Sequence, residues 1–124
     1  MILDLTTRKL QAYLAGAAAT TNPTVTVIYH DIPNQAKVDM SPARPAAQFT
    51  VLAGATETDV CAAPAAGVIR MIDSVTIYNT DTASVDCFVV IDDSATNRIQ
   101  AKLTIATTET ALWTRESGKW NIST

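Results

Sequence analysis

Imidazole- or thiolate-driven chemistry has few places to start in this chain, which holds one histidine, His30, and two cysteines, Cys61 and Cys87. With a single imidazole, any triad, dyad or multi-histidine metal site depends on His30, which sits between Tyr29 and Asp31 in a strand-like run. A Cys–His pair needs one of the thiols within hydrogen-bond reach of that ring. Neither cysteine has the cationic neighbours or helix N-terminus that lower a thiol pKa. Cys87 is in phase with Val85 and Val89 and reads as a buried thiol acting as a small hydrophobe. The two cysteines are widely separated in sequence and match no metal-ligand spacing. A disulfide between them has no support in a reducing compartment.

The carboxylates give no firmer site. Asp92 and Asp93 with nearby Asn97 resemble a calcium-binding pair, but the alternating acids and central glycine of a calcium loop are missing. Adjacent acids on a strand point to opposite faces, so these read as a hairpin turn held by Asx hydrogen bonds. Asp73 and Asp81 read the same way. The four glycines are scattered, and no phosphate-cradling loop forms. Trp113 and Trp120, with Tyr78, would stack on sugar rings if they shared an open face; capping the core is their ordinary use. The residues therefore predict no enzyme, no cofactor and no metal.

The elements are clearer than the chemistry. Val85, Cys87, Val89 and Ile91 alternate with Asp86, Phe88, Val90 and Asp92. After a turn at 93–97, Ile99, Ala101, Leu103 and Ile105 alternate with Gln100, Lys102 and Thr104. A period of two predicts a sheet hairpin with one buried face. Strands are also expected over 24–32, ending at Pro33, and over 48–52, 58–62, 68–79, 110–115 and 119–123. Asp73 falls in phase with Val75 and Ile77, which predicts a bulge or an edge near it. Pro33, Pro42 and Pro45 mark a long surface loop over 33–46. The expected fold is all-β: a small antiparallel β-sandwich or jelly-roll-like domain at 17–124, with a C-terminal meander and an extended N-terminal arm at 1–16.

Size and charge narrow the functions. The 124 residues suit one domain. Nine basic and 12 acidic residues leave a net charge of −3, with no basic stripe to neutralise phosphates, which excludes ordinary nucleic-acid binding. The N-terminus lacks a signal-peptide pattern, and no window reaches the roughly 18 apolar residues of a membrane span, so a cytoplasmic protein is expected. Charged residues are only 17%, against about a quarter in most proteins, which suits a surface partly covered by partners.

Three stretches carry a resemblance. The opening Leu3-Asp4-Leu5-Thr6-Thr7-Arg8-Lys9-Leu10-Gln11 with Leu14-Ala15-Gly16-Ala17 is one. Ala62-Ala63-Pro64-Ala65-Ala66-Gly67-Val68-Ile69-Arg70, leading into Asp73 to Ala83, is the second. The closing pattern, Ile91-Asp92-Asp93, Asn97-Arg98-Ile99, Thr108-Glu109-Thr110 and Gly118-Lys119-Trp120, is the third. The chain resembles small virion structural proteins of tailed bacteriophages over nearly all its length except the Pro-rich loop. The resemblance implies an accessory virion protein assembled in the host cytoplasm, first of all a capsid decoration (cement) protein. A tail- or fibre-associated protein, with a host-glycan-binding module among its forms, is the alternative. Implied partners are the major capsid protein and copies of the chain itself, as a homotrimer. Short apolar termini are disordered unless they lie on something, so Ile2, Leu3, Leu5 and Leu10 of the arm are candidate contact residues. Pro33, Pro42, Arg44 and Pro45 of the loop join them.

Overall fold

Alternating apolar residues become paired strands throughout the structure, a computed structural model that describes residues 1–33, 45–94 and 96–124. In chain order they are β1 (Ile2–Leu3), β2 (Arg8–Leu14), β3 (Thr24–Pro33), β4 (Ala46–Val51), β5 (Thr58–Cys61), β6 (Val68–Tyr78), β7 (Val85–Asp93), β8 (Thr96–Ile105), β9 (Thr110–Thr114) and β10 (Trp120–Ser123). No helix occurs among the described residues, so none is long and apolar enough to cross a membrane.

The strands form two antiparallel sheets. Sheet A has the order β10-β9-β6-β3-β4, and β1 pairs with the part of β6 that β9 leaves free. Sheet B has the order β5-β2-β7-β8. Between them lies a core of Leu3, Leu10, Val25, Val27, Leu52, Val60, Ile72, Val75, Ile77, Val89 and Ile105, all at 2% exposure or less. Each of those side chains, moved out of water, contributes roughly 1.5–3 kcal/mol, which a two-layer sandwich needs to offset chain entropy. The fold is the expected all-β sandwich.

Its connections differ from a serial meander. β7–β8 and β9–β10 are hairpins, but β6 pairs with β3 and β9, so the chain crosses from sheet A to sheet B after Tyr78 and returns after Ile105. A loop of a few residues serves a hairpin or a crossover equally well, and alternation does not separate the two. The buried Asn79 joins both crossovers. Its Nδ2 donates to the carbonyls of Ala83 and Ile105, each at 2.9 Å, and its Oδ1 accepts from the Asp81 amide at 2.9 Å. Its backbone amide donates to the Glu109 carbonyl, and its carbonyl accepts from the Thr108 amide. Thr108 holds φ 65°, the left-handed turn geometry needed there.

Of three register shifts between paired strands, two bulges set which residues of β6 and β8 face inward. Ile28 pairs with Ser74 and Tyr29 with Ile72, leaving Asp73 as the extra residue of β6, where its polar side chain in an apolar phase predicted a bulge. The bulge also reverses the face, so Met71 pairs with Ile2 and His30 on the outside while Val75 and Ile77 point into the core. In β8 the extra residue is Gln100, since Val89 pairs with Ala101 and Val90 with Ile99. Ile99, expected on the buried face, is therefore 62% exposed.

The N-terminal segment is not a free arm. β1 belongs to sheet A, and β2 lies between β5 and β7 in sheet B. Leu10 faces the core because its phase matches Ile91 and Cys61, with which it pairs. Arg8 fixes the start of β2, donating through Nε to Asp93 at 2.9 Å and pairing with Asp4.

Candidate interaction surface

The outward faces of the two sheets have different chemistry. On sheet A, strand register defines three rows of outward side chains. The first is Val51, Thr24, Tyr78, Thr110 and Ser123; the second is Phe49, Thr26, Thr76, Leu112 and Asn121; the third is Ala47, Ile28, Ser74 and Thr114. None of these residues is charged. Phe49 is 66% exposed and Val51 54%, and Ile28, Tyr78 and Leu112 are also exposed. Side chains that pair well within a pleated sheet, aromatic and β-branched, are here turned to the outside.

Sheet B is the internal comparison. Its outer face carries Lys9, Asp59, Asp86, Asp92 and Lys102. These charges are used locally: Lys9 Nζ lies 2.9 Å from Asp59, and Thr104 donates to Asp86 at 2.6 Å. Gln11 Nε2 donates to Asp59 at 2.6 Å. The Tyr13 and Phe88 rings stack with centroids 5.1 Å apart, and Lys102 lies 5.6 Å from the Phe88 ring centre. That face looks made for water, and the sheet A face does not.

The contact residues expected from sequence separate into two groups. Leu3 and Leu10 are fully buried in the core and cannot meet a partner in the folded protein. A strand's period of two separates its faces without saying which one is covered, and here the inward face takes Leu3 while Ile2 lies opposite. Ile2 is 52% exposed and Leu5 46%. Pro33 and Pro45 are exposed, whereas Pro42 and Arg44 lie outside the described residues. Leu3 pairs with Arg70 and Pro33 with Val68, so the N-terminal turn and the start of the Pro-rich loop meet at one end of the sandwich. Arg70 braces that end. It donates to both oxygens of Asp31 at 2.8 and 2.9 Å and to the Ala62 carbonyl at 2.8 Å, and it lies 4.1 Å from the Tyr29 ring centre.

The chemistry-bearing residues also find their places. His30 and Asp73 meet on the outer face of sheet A, Nδ1 to Oδ2 at 2.7 Å, and Arg115 reaches the other carboxylate oxygen at 3.2 Å. They line an open hollow of about 460 Å³ with Pro45, Thr114 and Glu116. Among the described residues that line it there is no cysteine or serine to pair with His30. Cys61 and Cys87 are free and face the core. They pair with Leu10 and Leu14 from opposite sides of β2, about 13 Å apart along the strand direction alone, too far for a disulfide. Burial pushes the Cys61 thiol up to about 11 and the Cys87 thiol up to about 12. Among the described residues no group of three or more His, Cys, Asp or Glu is placed to hold a metal ion.

The aromatic trio is divided. Trp113 and Trp120 pair on the inner side, the first buried and the second half-buried, whereas Tyr78 faces outward. A second hollow, about 390 Å³ beside Gly16, Ala17 and Ala83, has Asp81 in its wall. That carboxylate is already committed to the amides of Ala19, Thr20, Thr21 and Thr82.

Sequence reading missed Phe49, Val51, Ile28 and Leu112 as surface residues and named Tyr78 only as a sugar-stacking candidate, because an apolar residue turned outward alternates just as one turned inward does. The available signal was the low charge content. No family model, curated protein or solved structure matches the chain.

Proposed function

We propose that the chain is a structural protein of a bacteriophage particle that works by docking, and that it decorates the head. The observation that carries this reading is the contrast between the faces: sheet A presents three uncharged rows, while sheet B presents paired charges. A protein lying on an assembly needs one side for a neighbour and one for water. The resemblance of the three quoted stretches to small virion proteins supplies the kind of assembly. Ile2, Leu5 and Ile32, all exposed near the end braced by Arg70, add an apolar patch through which a capsid lattice can be gripped. Individual contacts of this size are weak, and repetition over a lattice makes them additive through avidity.

Counting copies in purified virions tests the reading. Hundreds per particle support a head location, tens or fewer move the chain to the tail, and absence from particles overturns the proposal. Occupancy should also fall in an Ile2→Asp, Leu5→Asp double variant that keeps its fold. Truncating residues 1–10 is the poorer experiment, because it removes Leu3 and Leu10 from the core.

A further inference from the structure

We infer that the three uncharged rows on the outer face of sheet A are covered by a second copy of this chain, packed sheet on sheet about a two-fold axis. This rests on the reading of the chain as a docking protein and names the occupant of those three rows. Charge is the first reason. The outer face of sheet B carries Asp59, Asp86 and Asp92 against Lys9 and Lys102, so pairing it with itself would take charges that are already partnered locally out of water. The three rows of sheet A hold no charged side chain, so like molecules meet there without that desolvation cost.

Shape is the second reason. The face is built on β4, β3, β6 and β9, so an axis running along the strands between β3 and β6 exchanges β4 with β9 and β3 with β6. In that arrangement Tyr78 of one copy covers Thr24 of the other, Val51 covers Thr110, and Ile28 covers Ser74. Large side chains meet small ones in two of the three rows, and in the third Phe49 meets Leu112. Sheets packed this way lie about 10 Å apart with strands within about 30° of one another.

Area sets the strength. Four strands at about 4.8 Å spacing and three rows at about 6.8 Å cover roughly 400 Å² of each copy in projection, the size of a weak, transient contact. A Kd on the order of 10 µM is expected, weak alone and sufficient at the local concentration of a lattice. A face that pairs with itself closes at two copies. The trimer implied by the resemblance would need a separate contact.

Sedimentation equilibrium of the purified chain tests this. The expected result is a concentration-dependent rise from 13.2 kDa to twice that mass. Phe49→Asp and, independently, Leu112→Asp should each give monomer with an unchanged melting curve. Ile99→Asp, on the exposed edge of sheet B, should leave the dimer intact. A wild-type chain that stays monomeric at about 300 µM, far above that Kd, overturns the inference. So does a dimer that survives both sheet A variants, or one that only Ile99→Asp abolishes. The virion reading fails separately: a dimer that is absent from particles overturns it and leaves this inference standing, and particles carrying monomers do the reverse.

Discussion

Asp73 is the extra residue of the β6 bulge, and its carboxylate stands 2.7 Å from Nδ1 of His30 on the neighbouring strand. The bulge turns Asp73 toward a strand it would otherwise pass, and the Asp73 carbonyl accepts from the Arg115 amide at 2.9 Å. One irregular residue thereby links β3, β6 and the end of β9. The single histidine is used in this link, which gives it a structural role.

A double-mutant cycle on His30→Ala and Asp73→Ala should measure that link. Both side chains are mostly covered, at 19% and 25% exposure, so the coupling should be on the order of 1 kcal/mol in urea denaturation. Asp73→Ala should cost more than His30→Ala, because Arg115 loses a partner as well. Coupling indistinguishable from zero would mean that the bulge holds without the pair.

The N-terminus should divide sharply within a few residues. Leu3→Ala and Leu10→Ala each open a cavity in the core and should cost about 2–5 kcal/mol. Ile2→Asp and Leu5→Asp change exposed positions and should stay within about 0.5 kcal/mol of the parent. Denaturation midpoints of the four single variants decide it; equal losses at Ile2 and Leu3 would contradict the pairing of β1 with β6.

Strands and turns were legible because alternation and β-branched residues act locally. Asp73 betrayed its bulge by being polar in an apolar phase. The rest depends on what lies across the sheet. Leu3 and Leu10 read as contact residues because nothing local says that β1 and β2 fill vacancies beside β6 and between β5 and β7. Phe49 and Val51 gave no sign of facing out, since Gln48 and Thr50, which alternate with them, can equally well line an inner surface. The crossover into β7 is braced by Asn79, a residue whose partners lie up to 30 positions away.

Thiol reagents should report on the core. With both thiols buried and their pKa values pushed up to about 11 and 12, neither is ionised at pH 8. Native protein should give almost no reaction with a colorimetric disulfide reagent over minutes, and two equivalents after unfolding in guanidinium. Rapid native reaction of one thiol would show that the β5 edge opens.

Asn79→Ala should be among the most damaging polar substitutions. Fully buried, the side chain donates to the carbonyls of Ala83 and Ile105 and accepts from the Asp81 amide, so truncation strands three groups. About 2–4 kcal/mol should be lost in chemical denaturation. Asn79→Asp is the informative companion: it keeps the acceptor for Asp81 but replaces the donor with a carboxylate facing two carbonyls, and it should be no better than alanine.

Asp81 should give the fold its acid sensitivity. Burial alone would raise its carboxyl pKa, but the amides of Ala19, Thr20, Thr21 and Thr82 more than reverse this and hold it well below the usual carboxylate range. A group whose pKa is lower folded than unfolded stabilises the fold above its unfolded value, near 3.9, and that contribution is lost as pH falls toward the folded value. The Arg8 guanidinium and the Thr7 hydroxyl lower Asp93 in the same sense, so the acid limb is shared. Melting temperature of the wild type should therefore be steady above about pH 5 and fall steeply below about pH 4. Asp81→Asn keeps one acceptor but turns an NH2 group toward the same amides, so it should melt lower at pH 7 and show a shallower acid limb. A variant with the parent's slope below pH 4 would show that the loop at 19–21 is held by something other than this carboxylate.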